Sequence, residues 1–156
     1  MTGGDPTVAV EAGRIRLGGA VYVYLERTVK GAAPARHALP PRSYGVAPMA
    51  PSGAASVVAA VGLREAVWLG FQPLDRDRPV DVRIEAGDHK TALRCPPAYS
   101  ADRLFGAGTK LRVRVEAPAR GEVAIELVDP ADFERSTGKR AEPLDESKGF
   151  GGHRLP

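Results

Sequence analysis

The sequence predicts a mainly β protein, an antiparallel β-sandwich or jelly-roll-like domain of about eight strands with one short helix near the C-terminus. Two observations carry this prediction: apolar and polar residues alternate with a period of two along several segments, and turn residues rather than helices separate these segments. Short strands without intervening helices favour packed antiparallel sheets over an α/β fold. Because 156 residues match one ordinary domain, we assign residues 1–138 to a single sandwich domain and residues 139–156 to a polar C-terminal tail.

The clearest strands lie in the second half of the chain. In Val80–Glu85 three apolar residues alternate with three charged ones, as expected of a strand with one buried face. Lys110–Glu116 and Glu122–Leu127 show the same alternation. Residues 117–121 between them are short and turn-forming, which predicts a hairpin.

Two earlier segments, 20–25 and 66–71, are apolar on both faces. Strands of this kind are covered on each side, so we expect both segments at the centre of a sheet. Shorter candidate strands are residues 8–11, 14–17, 57–61 and 91–94.

One helix is predicted late in the chain, at residues 130–137. Asp129 can cap its free amides, and Pro130 suits the first helical position. Asp132 favours the positive end of the helix dipole, and Gly138 can end the helix in a left-handed conformation.

The connection at residues 31–56 contains five prolines and shows no period. Connections of this length inside a compact domain are unusual and are commonly functional. Leu39, Tyr44, Val46 and Met49 could cover the second face of the two-sided apolar strands. The alternative is that this connection binds a ligand or a partner.

Charge and composition exclude several classes of function. The 22 basic and 19 acidic residues are interspersed and the net charge is only +3, so we predict no nucleic-acid surface. No stretch approaches the roughly 18 apolar residues of a membrane span, and the N-terminus lacks the apolar core of a signal peptide. Cys95 is the only cysteine, so neither an intramolecular disulfide nor a cysteine-based zinc site can form. We expect a cytoplasmic protein that binds neither membrane nor cofactor.

Catalytic signatures are absent from the sequence: no nucleophile elbow, zinc-protease helix, P-loop or dinucleotide fingerprint occurs. Glu65 is the strongest candidate for chemistry, because it precedes the most hydrophobic segment and lies near Trp68. A carboxylate beside an aromatic ring could act as acid or base together with His37, whereas a salt bridge beside a core tryptophan accounts for the same residues. Trp68 and Tyr99 could instead bind a carbohydrate.

Several short strings, taken in order, resemble an uncharacterised family of bacterial and fungal proteins. They are Leu25–Thr28, Leu39–Pro41, Glu65–Phe71 with its Glu-Ala-x-Trp string, and Cys95–Pro97. The resemblance covers about half the chain and implies a shared β fold, but no reaction. The family continues after the cysteine-proline step with a Pro-Trp-Leu-Asp-Gly string, which this chain lacks.

The leading functional prediction is a non-enzymatic binding or assembly module that acts through protein partners, including copies of itself. Missing catalytic motifs, the long connection and the polar tail with its isolated apolar residues support it. The alternatives are a small hydrolase or isomerase using Glu65 and a carbohydrate-binding module. The predicted contact residues are Leu39, Tyr44, Met49, Glu65, Trp68, Phe150 and Leu155.

Overall fold

The computed structural model describes residues 8–29, 43–75, 77–95, 99–117 and 120–144. These residues form eleven strands and one helix. The elements are β1 (Val8–Glu11), β2 (Arg14–Leu17), β3 (Val21–Val29), β4 (Met49–Gly53), β5 (Ser56–Ala60), β6 (Glu65–Pro73), β7 (Val80–Ala86), β8 (His89–Cys95), β9 (Tyr99–Phe105), β10 (Lys110–Ala117), β11 (Gly121–Val128) and α1 (Pro130–Thr137).

The strands form two sheets, which confirms the predicted fold class. The first sheet has the order β1-β2-β3-β6-β9, and the second has the order β4-β5-β11-β10-β7-β8. Neighbouring strands are antiparallel except for β5 and β11, which pair in parallel from Ser56 with Ala124 to Ala60 with Val128. The two segments expected at the centre of a sheet, β3 and β6, are neighbours inside the first sheet, in register from Val21 with Pro73 to Val29 with Glu65.

The main hydrophobic core lies between the sheets, because alternate residues of the strands that line it point inward. The three segments with clean alternation, now β7, β10 and β11, bury their apolar residues as predicted, and β10 pairs with β11 as the expected antiparallel hairpin. Core side chains of the first sheet include Ile15, Leu17, Val21, Val23, Leu25, Val67, Leu69 and Phe71; those of the second include Val82, Ile84, Leu111, Val113, Val115, Val123, Ile125 and Leu127.

Helix α1 has the predicted bounds and caps. The Asp129 side chain accepts the Asp132 amide proton at 2.8 Å, Pro130 begins the helix, and Gly138 ends it with φ of 75°. Phe133 is fully buried and anchors α1 on the outer face of the second sheet, in a small cluster with Ala50, Val58 and Ala60.

The described part of the chain has eleven strands rather than about eight: all nine candidate segments form strands, and two further strands, β4 and β9, have no sequence signal of their own. β4 lies in the proline-rich connection and contains Pro51, which is compatible with its place at the edge of the second sheet. β9 lacks clean alternation and lies at the edge of the first sheet. β4 pairs with the next strand, β5, and β9 pairs with β6 from earlier in the chain.

Candidate binding site at one end of the sandwich

Two charged residues lie where the inward faces of β3 and β6 reach the end of the sandwich. Arg27 continues the inward series that includes Leu25, and Glu65 begins the corresponding series on β6. Register brings them together, because Arg27 pairs with Val67 and Val29 pairs with Glu65. This end therefore carries a charge pair where the rest of the interior is apolar.

The Arg27 guanidinium and the Glu65 carboxylate form a largely buried ion pair. Arg27 Nη2 and Nε donate to Glu65 Oε1 at 3.0 and 3.3 Å, and the two side chains are only 11% and 13% exposed. A pair removed from water to this degree is stable only when its remaining polar atoms also find partners.

Those further partners come from the chain that follows α1. Arg27 Nη2 also donates to the main-chain oxygen of Glu142 at 3.0 Å, and Glu65 Oε2 accepts the Leu144 amide proton at 3.3 Å. We call residues 139–144 the strap and the Arg27–Glu65 pair the clasp. The clasp thus binds a peptide main chain, through one carbonyl and one amide.

Residues 43–47 of the long connection also contact this end of the sandwich. They hydrogen-bond to the part of β3 that lies beyond its pairing with β2. The Arg27 amide donates to the Gly45 oxygen at 2.7 Å, and the Tyr44 amide donates to the Arg27 oxygen at 2.8 Å. Val46 faces Glu26 in an isolated antiparallel bridge. This segment therefore extends the edge of the first sheet and then continues into β4 at the edge of the second.

The carboxylate that lies beside the tryptophan is Glu26 rather than Glu65. Glu26 is opposite Trp68 in the register of β3 and β6, on the outer face of the first sheet. Ser43 Oγ donates to Glu26 Oε1 at 3.2 Å. Burial nevertheless raises the pKa of the Glu26 carboxyl, and the Ser43 hydrogen bond only partly opposes this.

A cavity of about 220 Å³ opens beside the clasp and includes Glu65 in its wall. Leu63, which is 83% exposed, stands at its rim. The other lining residues are small or apolar: Gly62, Ala66, Leu104, Gly106 and Ala107. A carboxylate and an exposed leucine at one cavity can contact a polar main chain and an apolar side chain together.

A larger concave surface, of about 960 Å³, lies between α1 and the outer face of the second sheet. Its floor includes Ala50 and Val58, and Asp132 and Arg135 at its rim form an ion pair with each other. This surface contains none of the predicted contact residues.

The structure brings some of the predicted contact residues together and separates others. Tyr44 and Glu65 both bind Arg27. Met49, expected to cover an outer face or to meet a partner, is 8% exposed and lies in the core between the sheets. Trp68 is 7% exposed, which counts against its use as a sugar-stacking platform.

The remaining predicted residues lie outside the part of the chain that the structure describes: Leu39, Phe150 and Leu155, together with His37 of the enzyme hypothesis and the side chain of Tyr99.

Sequence reasoning missed Arg27 and Glu26 as site residues. The available signal was two adjacent charged residues within an otherwise apolar strand, which is unusual unless they are paired.

Within the described ranges, no group of three or more histidine, cysteine, aspartate or glutamate side chains could hold a metal ion. No helix in the same ranges has the length and apolar character that crossing a bilayer requires.

Comparison with protein-family models, curated proteins and solved structures finds no match.

Proposed function

We propose that this protein is a non-enzymatic β-sandwich binding or assembly module that contacts protein partners, including its own copies, through the clasp end of the sandwich. We also propose a cytoplasmic location. Cys95 is the only cysteine of the chain, so it can form no intramolecular disulfide, and a chain without disulfides suits a reducing compartment. The contact surface comprises the clasp, the cavity beside it and the segments that adjoin both.

One observation carries the proposal: the described parts of the long connection and of the tail meet at the Arg27–Glu65 pair. Val29, the last described residue before the connection, pairs with Glu65. Residues 43–47, in the middle of the connection, hydrogen-bond along β3 up to Arg27. The tail reaches the same pair at Glu142. Loops and tails that a rigid sandwich gathers at one end are a common way to form a partner surface.

Geometry favours binding over catalysis at Glu65. Both of its carboxylate oxygens are engaged, Oε1 by Arg27 and Oε2 by the Leu144 amide. A general acid or base must instead reach the proton that it transfers in a substrate. The enzyme alternative therefore requires the strap to leave first.

Two exposed leucines provide a test with a matched control. Leu63 is 83% exposed at the clasp end, and Leu74 is 36% exposed at the opposite end, where its amide donates to the Ala20 oxygen. We expect Leu63→Asp to weaken self-association in sedimentation velocity, or retention of a co-purifying partner, and Leu74→Asp to leave both unchanged. A native chain that stays monomeric at every concentration and retains no partner would overturn the proposal.

A further inference from the structure

Within the part of the chain that the structure describes, the strap is held to the sandwich by few contacts. Four of its six residues are exposed, namely Lys139, Arg140, Glu142 and Pro143. Ala141 packs against the Phe133 cluster, and the clasp supplies the two hydrogen bonds at the other end. A segment with so little buried surface opens at a small fraction of the free energy of global unfolding.

The clasp recognises main-chain atoms rather than strap side chains. Its cation binds the Glu142 carbonyl and its carboxylate binds the Leu144 amide. Hydrogen bonds to charged groups are the stronger ones, and a buried ion pair left without them is penalised. When the strap leaves, the clasp therefore favours rebinding a peptide that presents a carbonyl and, two residues later, an amide.

Gly138 allows the strap to leave without disturbing α1. It ends the helix in the left-handed conformation with φ of 75°, and no atom would contact a Cβ there within 4 Å. Glycine adopts many conformations at such a position, so the chain can turn away at this residue while Phe133 keeps the helix docked.

We propose that the clasp is a docking site for the strap of a second copy of this chain, so that two copies exchange straps. This inference rests on the proposed function and names its partner. A second copy is the fitting occupant because the one sequence seated in the clasp is this chain's own strap. Exchange of identical segments reproduces the same contacts between copies, which makes it a low-cost route to a dimer.

The cavity beside the clasp supports an intermolecular contact at the same place. Glu65 borders both the strap and the cavity, and the exposed Leu63 stands at the rim. Two copies that exchange straps bring these ends close together, which would remove Leu63 from water.

A proline substitution tests the site while Arg27 and Glu65 remain native. Leu144→Pro removes the amide that Glu65 accepts, because proline has no main-chain N–H. The probe is a fluorescently labelled peptide of residues 139–146 with the native sequence, added to the full-length variant. We expect it to bind the Leu144→Pro chain about tenfold more tightly than it binds the native chain, whose own strap competes.

The matched control is the same peptide with proline in place of Leu144. We expect it to bind the variant chain about tenfold more weakly than the native peptide does, since it lacks the amide. Equal binding of the two peptides, or no binding of either to a variant that circular dichroism shows to be folded, would overturn the clasp as a peptide site.

The second copy is tested by sedimentation velocity of the native chain. We expect concentration-dependent dimers that an excess of the native peptide dissociates and the proline peptide does not. A chain that remains monomeric while its clasp binds the peptide would overturn strap exchange. The Leu63 comparison probes the end surface without a peptide, so failure of strap exchange is distinguishable from failure of the proposed binding function.

Discussion

Glu26 shows how one carboxyl can make the stability of this sandwich depend on pH. Burial raises its pKa above the ordinary value of 4.5, so the folded state holds the proton more tightly than the unfolded state. The contribution of Glu26 to stability is then fully present below pH 4.5 and is lost as the pH rises through the raised folded pKa, where a partly buried charge must form.

Replacing this carboxyl by an amide removes that pH-dependent loss. We expect Glu26→Gln to have a larger free energy of unfolding than the native protein at neutral pH, and the difference to shrink below pH 4.5. Urea unfolding at several pH values measures it. Glu134→Gln, on an exposed position of α1, serves as the control. A difference independent of pH would show that the carboxyl does not titrate as described.

In the clasp, by contrast, removing a single charge is expected to destabilise the protein, because each charge of the buried pair needs the other. Arg27→Met leaves the Glu65 carboxylate buried without its cation, and we expect a loss of about 3 to 5 kcal/mol in the free energy of unfolding. Adding Glu65→Met should recover part of that loss, since an apolar pair replaces an isolated charge. Chemical denaturation of both variants checks this, and a double variant that is less stable than Arg27→Met would contradict it.

At this scale the sequence allowed prediction of one member of the ion pair and not the other. Glu65 stood out through its position before an apolar segment, and a salt bridge was one of its two interpretations. Its nearest cation in sequence is Arg64, whereas the partner is Arg27, which only the register of β3 and β6 brings within 3.0 Å. Pairing across strands is not encoded in local spacing.

Helix α1 was predicted residue for residue because its signals are local. The caps and the first-turn proline act within a few positions of each other, so the sequence contains all the information that sets its bounds. Strands β4 and β9 were missed for the converse reason. They are edge strands whose conformation comes from their neighbours β5 and β6 rather than from their own periodicity.

The N-cap of α1 offers a direct test at the level of the element. Asp129→Ala removes the acceptor of the Asp132 amide, and we expect a loss of about 1 kcal/mol in the free energy of unfolding. Asp129→Asn keeps a capping oxygen and should lose much less. Thermal or urea unfolding compares the two variants, and equal losses would mean that charge rather than capping matters.

At the scale of the whole molecule, a turn of one sheet contacts a turn of the other at the end opposite the clasp. A Cβ at Gly121 would lie 2.9 Å from the main-chain N and Cα of Gly18, so one hairpin passes directly over another turn. We expect Gly121→Ala to lower the free energy of unfolding by about 1 to 3 kcal/mol through overpacking.

Gly106→Ala is the control for this close approach, because no atom lies within 4 Å of a Cβ there. It should be neutral or slightly stabilising, since alanine restricts the unfolded chain more than glycine does. Both variants can be compared by urea unfolding. A Gly121→Ala variant as stable as Gly106→Ala would show that the two turns do not touch in solution.

The parallel pairing of β5 with β11 also determines the order in which the chain can complete its fold during synthesis. The β4–β5 hairpin leaves the ribosome before its sheet neighbour β11, because β6 to β10 are made between them. Until residues 121–128 emerge, β5 has an unpaired edge and Val57 and Ala59 lack their second-sheet neighbours. The second sheet therefore closes late, and the nascent chain carries an open strand edge while β6 to β10 are being made.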